Sequence, residues 1–198
     1  MPAGAAVLQS DVTDAIRRAF FTELAECGYG RLSIEGVARR AGVGKPAIYR
    51  RWPSKQDMAV ALITEVAWAY LDMPDTGSLR GDVIAFLRAE FAALTDRLAK
   101  AIIPDVLSEA NRNEDFAATL LRTVRDPRRA RAAAIIRRAI ERGEVADTLN
   151  TDLALDVLAG PLYWRLSVVH QPVGDGELVQ LAEMIMGAFT CVSGLTGE

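Results

Sequence analysis

The sequence predicts an all-α protein, and three observations lead to that prediction. Ala, Leu, Arg and Glu are abundant among the 198 residues, and these residue types form helices readily. Apolar residues recur three and four positions apart, as on one face of an amphipathic helix, and alternating strand-like runs are absent. The chain is 51% hydrophobic and 25% charged, a composition that supplies a packed core and does not favour long disorder.

Four helices are predicted in the first part of the chain, at 11–27, 33–41, 45–51 and 54–72. Glycines follow the first and the second of them, where the left-handed conformation that glycine tolerates commonly ends a helix. Pro46 lies in the first turn of the third helix, where its missing N–H is not needed. Each boundary therefore has a residue type that explains it.

Side-chain caps are predicted at two of these helix starts. Ser33 precedes the second helix, and a serine in that position accepts a hydrogen bond from an otherwise unpaired backbone N–H. Ser54 precedes the fourth helix, with Asp57 three residues later, which resembles the spacing of a capping box.

Five more helices are predicted beyond a turn-rich connector. They are placed at 79–96, 98–111, 114–142, 151–170 and 175–194. Pro104 and Pro127 are expected to kink or split two of these helices, because a proline inside a helix removes a backbone hydrogen bond. The pair Gly160 and Pro161 is expected to bend a third.

The segment from Ser33 to Lys55 has the pattern of a helix-turn-helix. Two short amphipathic helices are separated by Gly42-Val43-Gly44, and Gly42 can adopt the positive φ that so tight a turn requires. Ile48 and Trp52 lie four residues apart and are expected to face inward. The remaining surface of the second helix is short, basic and aromatic, as in helices that enter the major groove of DNA.

This segment resembles the TetR family of transcriptional repressors. The shared pattern reads S-x3-V-A-x2-A-G-V-G-x3-I-Y-x2-W-x-S-K, from Ser33 to Lys55. The resemblance is strong over roughly residues 11–60 and continues beyond them only in the number and length of the helices. It implies an N-terminal three-helix helix-turn-helix domain at 1–60, followed by a helical ligand-binding and dimerisation domain at 61–198.

The distribution of charge agrees with that division. Residues 1–60 carry nine Lys and Arg against six Asp and Glu, whereas residues 61–198 carry fourteen against twenty. A basic N-terminal region followed by an acidic remainder is expected of a protein in which only the N-terminal region contacts phosphate.

The resemblance implies that the third helix and its flanks contact DNA. The residues assigned to this surface are Ser33, Gly44, Lys45, Pro46, Ala47, Tyr49, Arg50, Arg51 and Lys55. Tyr49 is implied to meet the DNA backbone or a base, and Lys55 to meet a phosphate. The pair Pro46-Ala47 departs from the family pattern, in which a hydroxyl is frequent, so this chain lacks the group for one usual contact. The Ala47 methyl could instead meet a thymine methyl.

The last two predicted helices are apolar on more than one side, so they are expected to need two partners. Because operators are usually read by symmetric dimers, we expect an intersubunit four-helix bundle, with burial inside a single chain as the alternative. The interface residues expected are Leu155, Leu158, Leu162, Leu166, Leu178, Leu181, Ile185, Phe189 and Val192. Val157, Trp164 and Val168 add apolar area on another side.

The resemblance also implies a ligand pocket among the middle helices. The candidate lining residues are Trp68, Phe86, Phe91, Leu94, Leu107, Phe116, Leu120 and Tyr163. Each is alternatively an ordinary core residue. Few charges interrupt these stripes, so the pocket is expected to be largely apolar and to take a hydrophobic or aromatic effector. The arginines between Arg122 and Arg131 are interpreted as a solvated surface.

Other classes of protein are disfavoured by what the sequence lacks. No fingerprint of a catalytic, nucleotide-binding or zinc site occurs, and the two cysteines, Cys27 and Cys191, lie far apart. We therefore expect no enzymatic activity, no cofactor and no metal. The start of the chain lacks a positively charged segment and no apolar run reaches eighteen residues, so a cytoplasmic protein without a membrane partner is expected.

The resulting prediction is a ligand-responsive transcriptional regulator, expected to be a repressor. It binds a palindromic operator as a homodimer and is released by a small, largely hydrophobic effector. A helical ligand carrier that does not bind DNA is the alternative of another class, and the basic surface of the third helix disfavours it. An activator is also compatible with the sequence.

Overall fold

The computed structural model describes the backbone of residues 3–68 and 74–192, and the side chains of residues 11–67 and 74–191. Over those ranges the regular structure is helical and no strand occurs, as the sequence predicts. The helices are α1 Ala3–Arg31, α2 Ile34–Ala41, α3 Lys45–Tyr49, α4 Lys55–Trp68, α5 Leu79–Thr95, α6 Arg97–Ala110, α7 Glu114–Leu120, α8 Asp126–Glu141, α9 Thr151–Tyr163 and α10 Asp175–Val192.

Both predicted serine caps are present. Ser33 Oγ accepts from the amide of Gly36 at 3.0 Å. Ser54 Oγ accepts from the amide of Asp57 at 3.1 Å and donates to the carboxylate of Asp57 at 2.7 Å. The starts of α2 and α4 are thus fixed by side chains that lie within three residues of the groups they bind.

Helix α1 differs from its prediction at both ends. It begins at Ala3 rather than at residue 11, in an alanine-rich stretch of high helix propensity. Gly28 leaves the helical conformation with a φ of 74°, as its predicted role as a terminator requires. The helical path resumes after this kink and ends at Arg31.

Two of the predicted long helices are interrupted by a wider turn of π-helix. Leu121–Arg125 separates α7 from α8 just before Pro127, and Trp164–Val168 follows α9 just after Pro161. A proline cannot donate to the carbonyl four residues earlier, so a shift in hydrogen-bond register is a common accommodation nearby. Pro104, by contrast, lies inside a continuous α6.

The chain forms two compact units, and both are discontinuous in sequence. The first comprises residues 1–66 and 97–123, and therefore combines α1 to α3 and most of α4 with α6 and α7. The second comprises residues 67–96 and 124–198. The division of the chain at residue 60 stays a prediction.

The core of the first unit is built around α1. Its fully buried large side chains are Ile16, Phe20, Leu24, Ile48, Met58, Leu62 and Phe116. Ile48 faces inward as predicted, whereas Trp52 is only half-buried. Phe116 of α7 packs on the ring of Tyr29, with the two centroids 4.8 Å apart.

The core of the second unit is formed where α5, α8, α9 and α10 pack together. Leu87, Ile135 and Leu158 are among its fully buried side chains. One carboxylate, that of Asp82, is buried in the same unit and is held by arginines of α8 and of the turn after it. In the described parts of the chain, no helix has the length and apolarity needed to cross a membrane.

Candidate DNA-binding surface and body cavity

The turn between α2 and α3 is closed by a pair of backbone hydrogen bonds. The amide of Gly42 donates to the carbonyl of Arg39 at 3.3 Å, and that of Val43 donates to the carbonyl of Ala38 at 3.0 Å. Gly42 has a φ of 68°, the left-handed conformation that this helix ending requires. The tight turn that the sequence predicts therefore depends on hydrogen bonds and a left-handed glycine within the six residues from Ala38 to Val43.

Helix α3 presents most of its predicted contact residues outward. Lys45, Pro46, Tyr49 and Arg50 are exposed, Tyr49 by 50%, and Ala47 is half-buried. Among the side chains that are described, neither Tyr49 nor Arg50 makes a side-chain hydrogen bond or an ion pair. An unpaired phenol and an unpaired guanidinium on one short helix are groups that a DNA backbone or base edge can engage.

Lys45 is exposed but paired with a carboxylate on α2. Its Nζ lies 2.7 Å from Glu35 Oε1, and both side chains are solvent-exposed. The hydrogen bond from Lys45 lowers the pKa of Glu35 and raises the pKa of Lys45. An exposed pair of this kind is weak and is screened by salt, so a phosphate can compete for the ammonium.

Two of the predicted contact residues already donate hydrogen bonds to other groups of the same chain. Arg51 Nε donates to Thr13 Oγ1 at 2.9 Å, and its Nη1 donates to the carbonyl of Ala47 at 2.8 Å. These bonds hold the end of α3 against α1. Arg51 thus makes internal hydrogen bonds to both helices, and its assignment to the DNA-contacting surface stays a prediction.

Lys55 is the second such residue. Its Nζ donates to the carbonyls of Tyr29 at 2.9 Å and Leu32 at 3.2 Å, and lies 4.3 Å from the centroid of the Tyr29 ring. An ammonium has three donors, so these bonds leave at most one for another partner. The lysine that the resemblance assigned to a phosphate thus ties the start of α4 to the end of α1.

The predicted dimer residues are largely buried inside a single chain. Six of them are at most 5% exposed: Leu155, Leu158, Leu162, Leu178, Ile185 and Phe189. Leu166 and Leu181 are half-buried, and the side chain of Val192 lies outside the described residues. A side chain that its own chain already covers has little area left for a partner, so these six residues fit the alternative of burial inside a single chain, and the interface stays a prediction.

The opposite face of the same helices carries exposed apolar side chains. On α9 and the π-helical turn after it, Leu153, Val157, Trp164 and Val168 follow one another at intervals of four and seven residues. On α10, Met184 is 72% exposed. Three of these residues had been recognised in the sequence only as additional apolar area.

A cavity of about 420 Å³ lies in the second unit. Of the predicted pocket residues, Phe86 and Tyr163 line it. Phe91 is half-buried and Leu94 is buried on α5, and neither lines the cavity. The side chain of Trp68 lies outside the described residues.

The other three predicted pocket residues belong to the first unit. Leu107 is exposed, Leu120 is half-buried and Phe116 is core. They are therefore absent from the lining of the cavity in the second unit.

The surface that lines the cavity is mostly apolar, but the lining is not free of charged groups. It includes five charged side chains, Glu90, Arg125, Arg128, Arg129 and Asp156. The arginines had been interpreted as a solvated surface, yet the side chains of Arg128 and Arg129 are only 23% and 30% exposed. No local pattern indicates this, because their acidic partners lie 38 and 27 positions away in the sequence.

Comparison with known proteins places the chain in a family. Residues 16–62 match the family described as bacterial regulatory proteins, tetR family. Residues 73–185 match the family described as tetracyclin repressor-like, C-terminal domain. The DNA-binding transcriptional repressor TetR of Mycobacteroides abscessus is 31% identical over 163 residues, which are 80% of this chain and 83% of that protein.

Solved structures agree with these matches. The TetR family transcription regulator SCO0332 is similar with a TM-score of 0.69 and 30% identity, over 89% of this chain and 97% of that chain. The regulator FadR of Bacillus subtilis, solved in complex with stearoyl-CoA, has a TM-score of 0.71 and 17% identity, over 90% of this chain and 97% of that chain. This chain belongs to the TetR family of transcriptional regulators, which are DNA-binding proteins and not enzymes.

Proposed function

We propose that this regulator is a repressor that binds a palindromic operator as a homodimer and is released by a small organic effector. The observation that carries the proposal is the outward surface of α3. Within the described residues, Tyr49 and Arg50 have no side-chain hydrogen bond or ion pair there, and Lys45 pairs with one exposed carboxylate. The M. abscessus relative is named as a repressor, which supports that direction of control.

The DNA contact set follows from which groups are still available. We assign direct contacts to Lys45, Tyr49 and Arg50, with the Ser33 hydroxyl as a further phosphate donor. Gly44, Pro46 and Ala47 bring the backbone of α3 close to the bases. Arg51 and Lys55 act indirectly, because their hydrogen bonds fix α3 and α4 on α1.

The homodimer uses the exposed apolar face of α9 and α10. This face has a stripe of exposed apolar side chains on α9 and the turn after it, formed by Leu153, Val157, Trp164 and Val168, and α10 adds Met184. Exposed apolar area of this kind is unfavourable in water and typical of a protein interface. Two such helix pairs form a four-helix bundle around a two-fold axis. In that arrangement the two α3 helices enter successive major grooves about 34–36 Å apart.

The effector acts through a conformation that does not fit the operator. We propose that it binds in the second unit and shifts α4, with the helix-turn-helix at 1–60 and the effector and dimer region at 61–198. The FadR structure holds stearoyl-CoA, which shows that a protein of this fold accommodates an organic ligand. By linkage, effector and operator must weaken each other's binding by the same factor.

The test is fluorescence anisotropy with DNA from upstream of the gene for this chain and unrelated DNA of equal length. Tight binding to the upstream fragment alone, with two chains per fragment, is expected. Equal binding to both fragments would indicate that the operator lies elsewhere, and selection of binding sites from random-sequence DNA would then identify it. No binding to either fragment at low salt would contradict the proposal.

Sedimentation of the Trp164→Glu variant tests the interface. We expect this variant to sediment as a monomer at concentrations where the unmodified chain is a dimer. Leu121→Glu is the matched control, because Leu121 is also an exposed apolar residue, at 39%, but lies outside the stripe. If both variants stayed dimeric, the interface would lie elsewhere.

A further inference from the structure

An acidic side chain lies beside the surface that we assign to DNA. Glu35 is the second residue of α2, and its carboxylate is 2.7 Å from the ammonium of Lys45, the first residue of α3. The side chain of Glu35 is 73% exposed and that of Lys45 is 49% exposed. Burial therefore does not explain this carboxylate, and DNA that approaches Lys45 also approaches Glu35.

The carboxylate of Glu35 is ionised at neutral pH. The hydrogen bond from Lys45, the charge of Lys45 and the charge of Arg39, one helical turn further along α2, hold the pKa of Glu35 below its ordinary value. When a phosphate competes for the ammonium of Lys45, Glu35 keeps its negative charge and loses a hydrogen-bond donor. A new donor must then come from the DNA.

The donors that DNA presents in its major groove are exocyclic amino groups, N4 of cytosine and N6 of adenine. Adenine places the acceptor N7 beside its amino group, whereas cytosine presents the amino group alone on its edge. An ionised carboxylate can only accept hydrogen bonds. It therefore fits the edge of cytosine better than that of adenine.

We infer that Glu35 is a specificity-determining residue that accepts a hydrogen bond from the N4 amino group of a cytosine in the operator. The inference rests on the proposed function, for which it names one base of each half-site. Lys45 turns to a phosphate and releases the carboxylate toward the base edges. On unrelated DNA the carboxylate finds no such donor and is repelled by the phosphates, so Glu35 weakens binding there.

The other role open to Glu35 is to position α3 through Lys45. An exposed ion pair contributes little to structure. Helix α3 is already held by the backbone hydrogen bonds of the turn before it and by the bond from Arg51 to Thr13 of α1. Base preference separates the two roles, because a residue that only positions α3 recognises no base of its own.

The test begins with selection of binding sites from random-sequence DNA by the full-length chain. Fluorescence anisotropy then compares the selected site with versions in which one cytosine·guanine pair of each half-site becomes thymine·adenine. Thymine presents the acceptor O4 where cytosine presents its amino group, so at one position this change should weaken binding about tenfold. Selected sites without a preferred cytosine would overturn the inference.

Glu35→Ala should abolish that preference, so that the cytosine and thymine versions bind with affinities within about twofold of each other. It should also bind unrelated DNA severalfold more tightly, because the carboxylate no longer repels phosphate. If Glu35→Ala kept the preference of the unmodified chain, Glu35 would not read the base.

Glu183→Ala is the matched control. Glu183 also pairs with an arginine at 2.7 Å and is 50% exposed, but it belongs to the second unit. Its removal changes the net charge of the chain by the same amount and should leave both the preference and the affinity for unrelated DNA unchanged. Equal effects of the two substitutions would reduce the role of Glu35 to net charge and overturn the inference.

Lys45→Ala distinguishes base reading from positioning. It should weaken binding to all sequences by similar factors and keep the preference for cytosine, because the carboxylate is still present. Loss of that preference in Lys45→Ala would show that Glu35 acts only through the position of α3, and the inference would fail.

Circular dichroism checks the folding of each variant. If Glu35→Ala does not fold, Glu35→Gln takes its place, and since glutamine recognises adenine, a retained preference for cytosine would count against Glu35. If the unmodified chain selected no sequence and bound no DNA at low salt, the proposed function itself would be contradicted, and this inference with it. An operator that is recognised equally well with and without Glu35 would contradict this inference alone.

Discussion

The turn between α2 and α3 and the cavity of the second unit are both built from hydrogen bonds, but over very different distances in sequence. In the turn, Ser33 caps Gly36 and the amides of Gly42 and Val43 bind carbonyls three and five residues earlier. In the cavity, Arg128 binds groups 38 and 61 positions away. Hydrogen bonds between neighbours in sequence can be predicted from a local pattern of residue types, whereas bonds between distant residues cannot.

The same contrast appears between residues of equal chemistry. Lys45 lies on the surface of α3 and pairs with an exposed glutamate, whereas Lys55 is drawn into the carbonyls that end α1. A family pattern records both as basic residues beside the recognition helix. Only the tertiary structure distinguishes a lysine that is available to a phosphate from one that holds two helices together.

The largest expected effect concerns the long-range network of the second unit. Asp82 is 1% exposed and accepts from the amide and hydroxyl of Thr76, both at 2.8 Å, and from Arg138 and Arg142. Asp82→Ala should lower the free energy of unfolding by about 3–5 kcal/mol, because Thr76 and two partly buried arginines lose the carboxylate that they share. Urea denaturation followed by circular dichroism measures the change.

Asp147→Asn is the control for this substitution, since Asp147 is exposed in a loop. A loss for Asp82→Ala no larger than that of the control would show that the network does not support the fold. The comparison would then reverse, with the local turn as the more important source of stability.

The pH dependence of stability should report on the same carboxylate. Burial alone would raise the pKa of Asp82, but hydrogen bonds from Thr76 and Arg138 outweigh it and hold the pKa below its ordinary range. A lowered pKa in the folded state stabilises the protein above the ordinary aspartate pKa, and that contribution disappears as the pH falls through the folded value. Stability should therefore decline in acid, and less steeply in Asp82→Ala than in the unmodified chain.

The two lysines provide the next prediction. Lys55→Ala should lower the free energy of unfolding by about 1.5–3 kcal/mol, because hydrogen bonds from a charged donor are lost. It should leave the salt dependence of operator binding unchanged. Lys45→Ala should leave stability close to that of the unmodified chain and reduce the slope of log affinity against log salt by about one.

Denaturation and anisotropy at several salt concentrations measure both variants. A slope reduced by Lys55→Ala would restore the phosphate role that the resemblance implied. An unchanged slope in Lys45→Ala would remove Lys45 from the contact set.

Tyr49→Ala should weaken operator binding by about 1–3 kcal/mol if the ring meets DNA, with little change in the unfolding transition. The phenol is half exposed and makes no hydrogen bond within the described part of the chain, so its removal disturbs no internal contact. Arg51→Ala is the informative counterpart, because Arg51 binds Thr13 and Ala47 internally. Arg51→Ala should lower the free energy of unfolding. If it lowered only the affinity for DNA, Arg51 would be a DNA-contacting residue instead.

The smallest effect is expected from the local turn. Gly42→Ala should lower the free energy of unfolding by about 1–2 kcal/mol, the cost of a left-handed conformation for a residue with a side chain. No atom lies within 4 Å of an added methyl at this position, so backbone strain is the only term. Gly44→Ala is the matched control, with a φ of −77° and ordinary contact with Pro46. Equal effects of the two substitutions would show that φ at Gly42 is not what specifies the turn.

Several features of the fold could be predicted because each depends on neighbours in sequence. The all-α class, the caps at Ser33 and Ser54 and the turn at Gly42 follow from residue types within one or two helical turns of each other. The outward orientation of Lys45 and Tyr49 on α3 has the same origin, since burial of Ile48 fixes which side of so short a helix faces inward. The family resemblance rests on these residues.

Other features were decided only when distant segments met. The sequence shows that α9 and α10 have two apolar faces, and packing on α5 decides that the face with Leu158 and Phe189 is internal and the face with Trp164 is exposed. The charge of an arginine is equally visible in either case, but whether it is solvated, as expected for Arg128, or paired in a cavity depends on a glutamate brought from another helix. Periodicity fixes which residues share a helix face, whereas burial and pairing depend on what that face meets, and this depends on the tertiary structure.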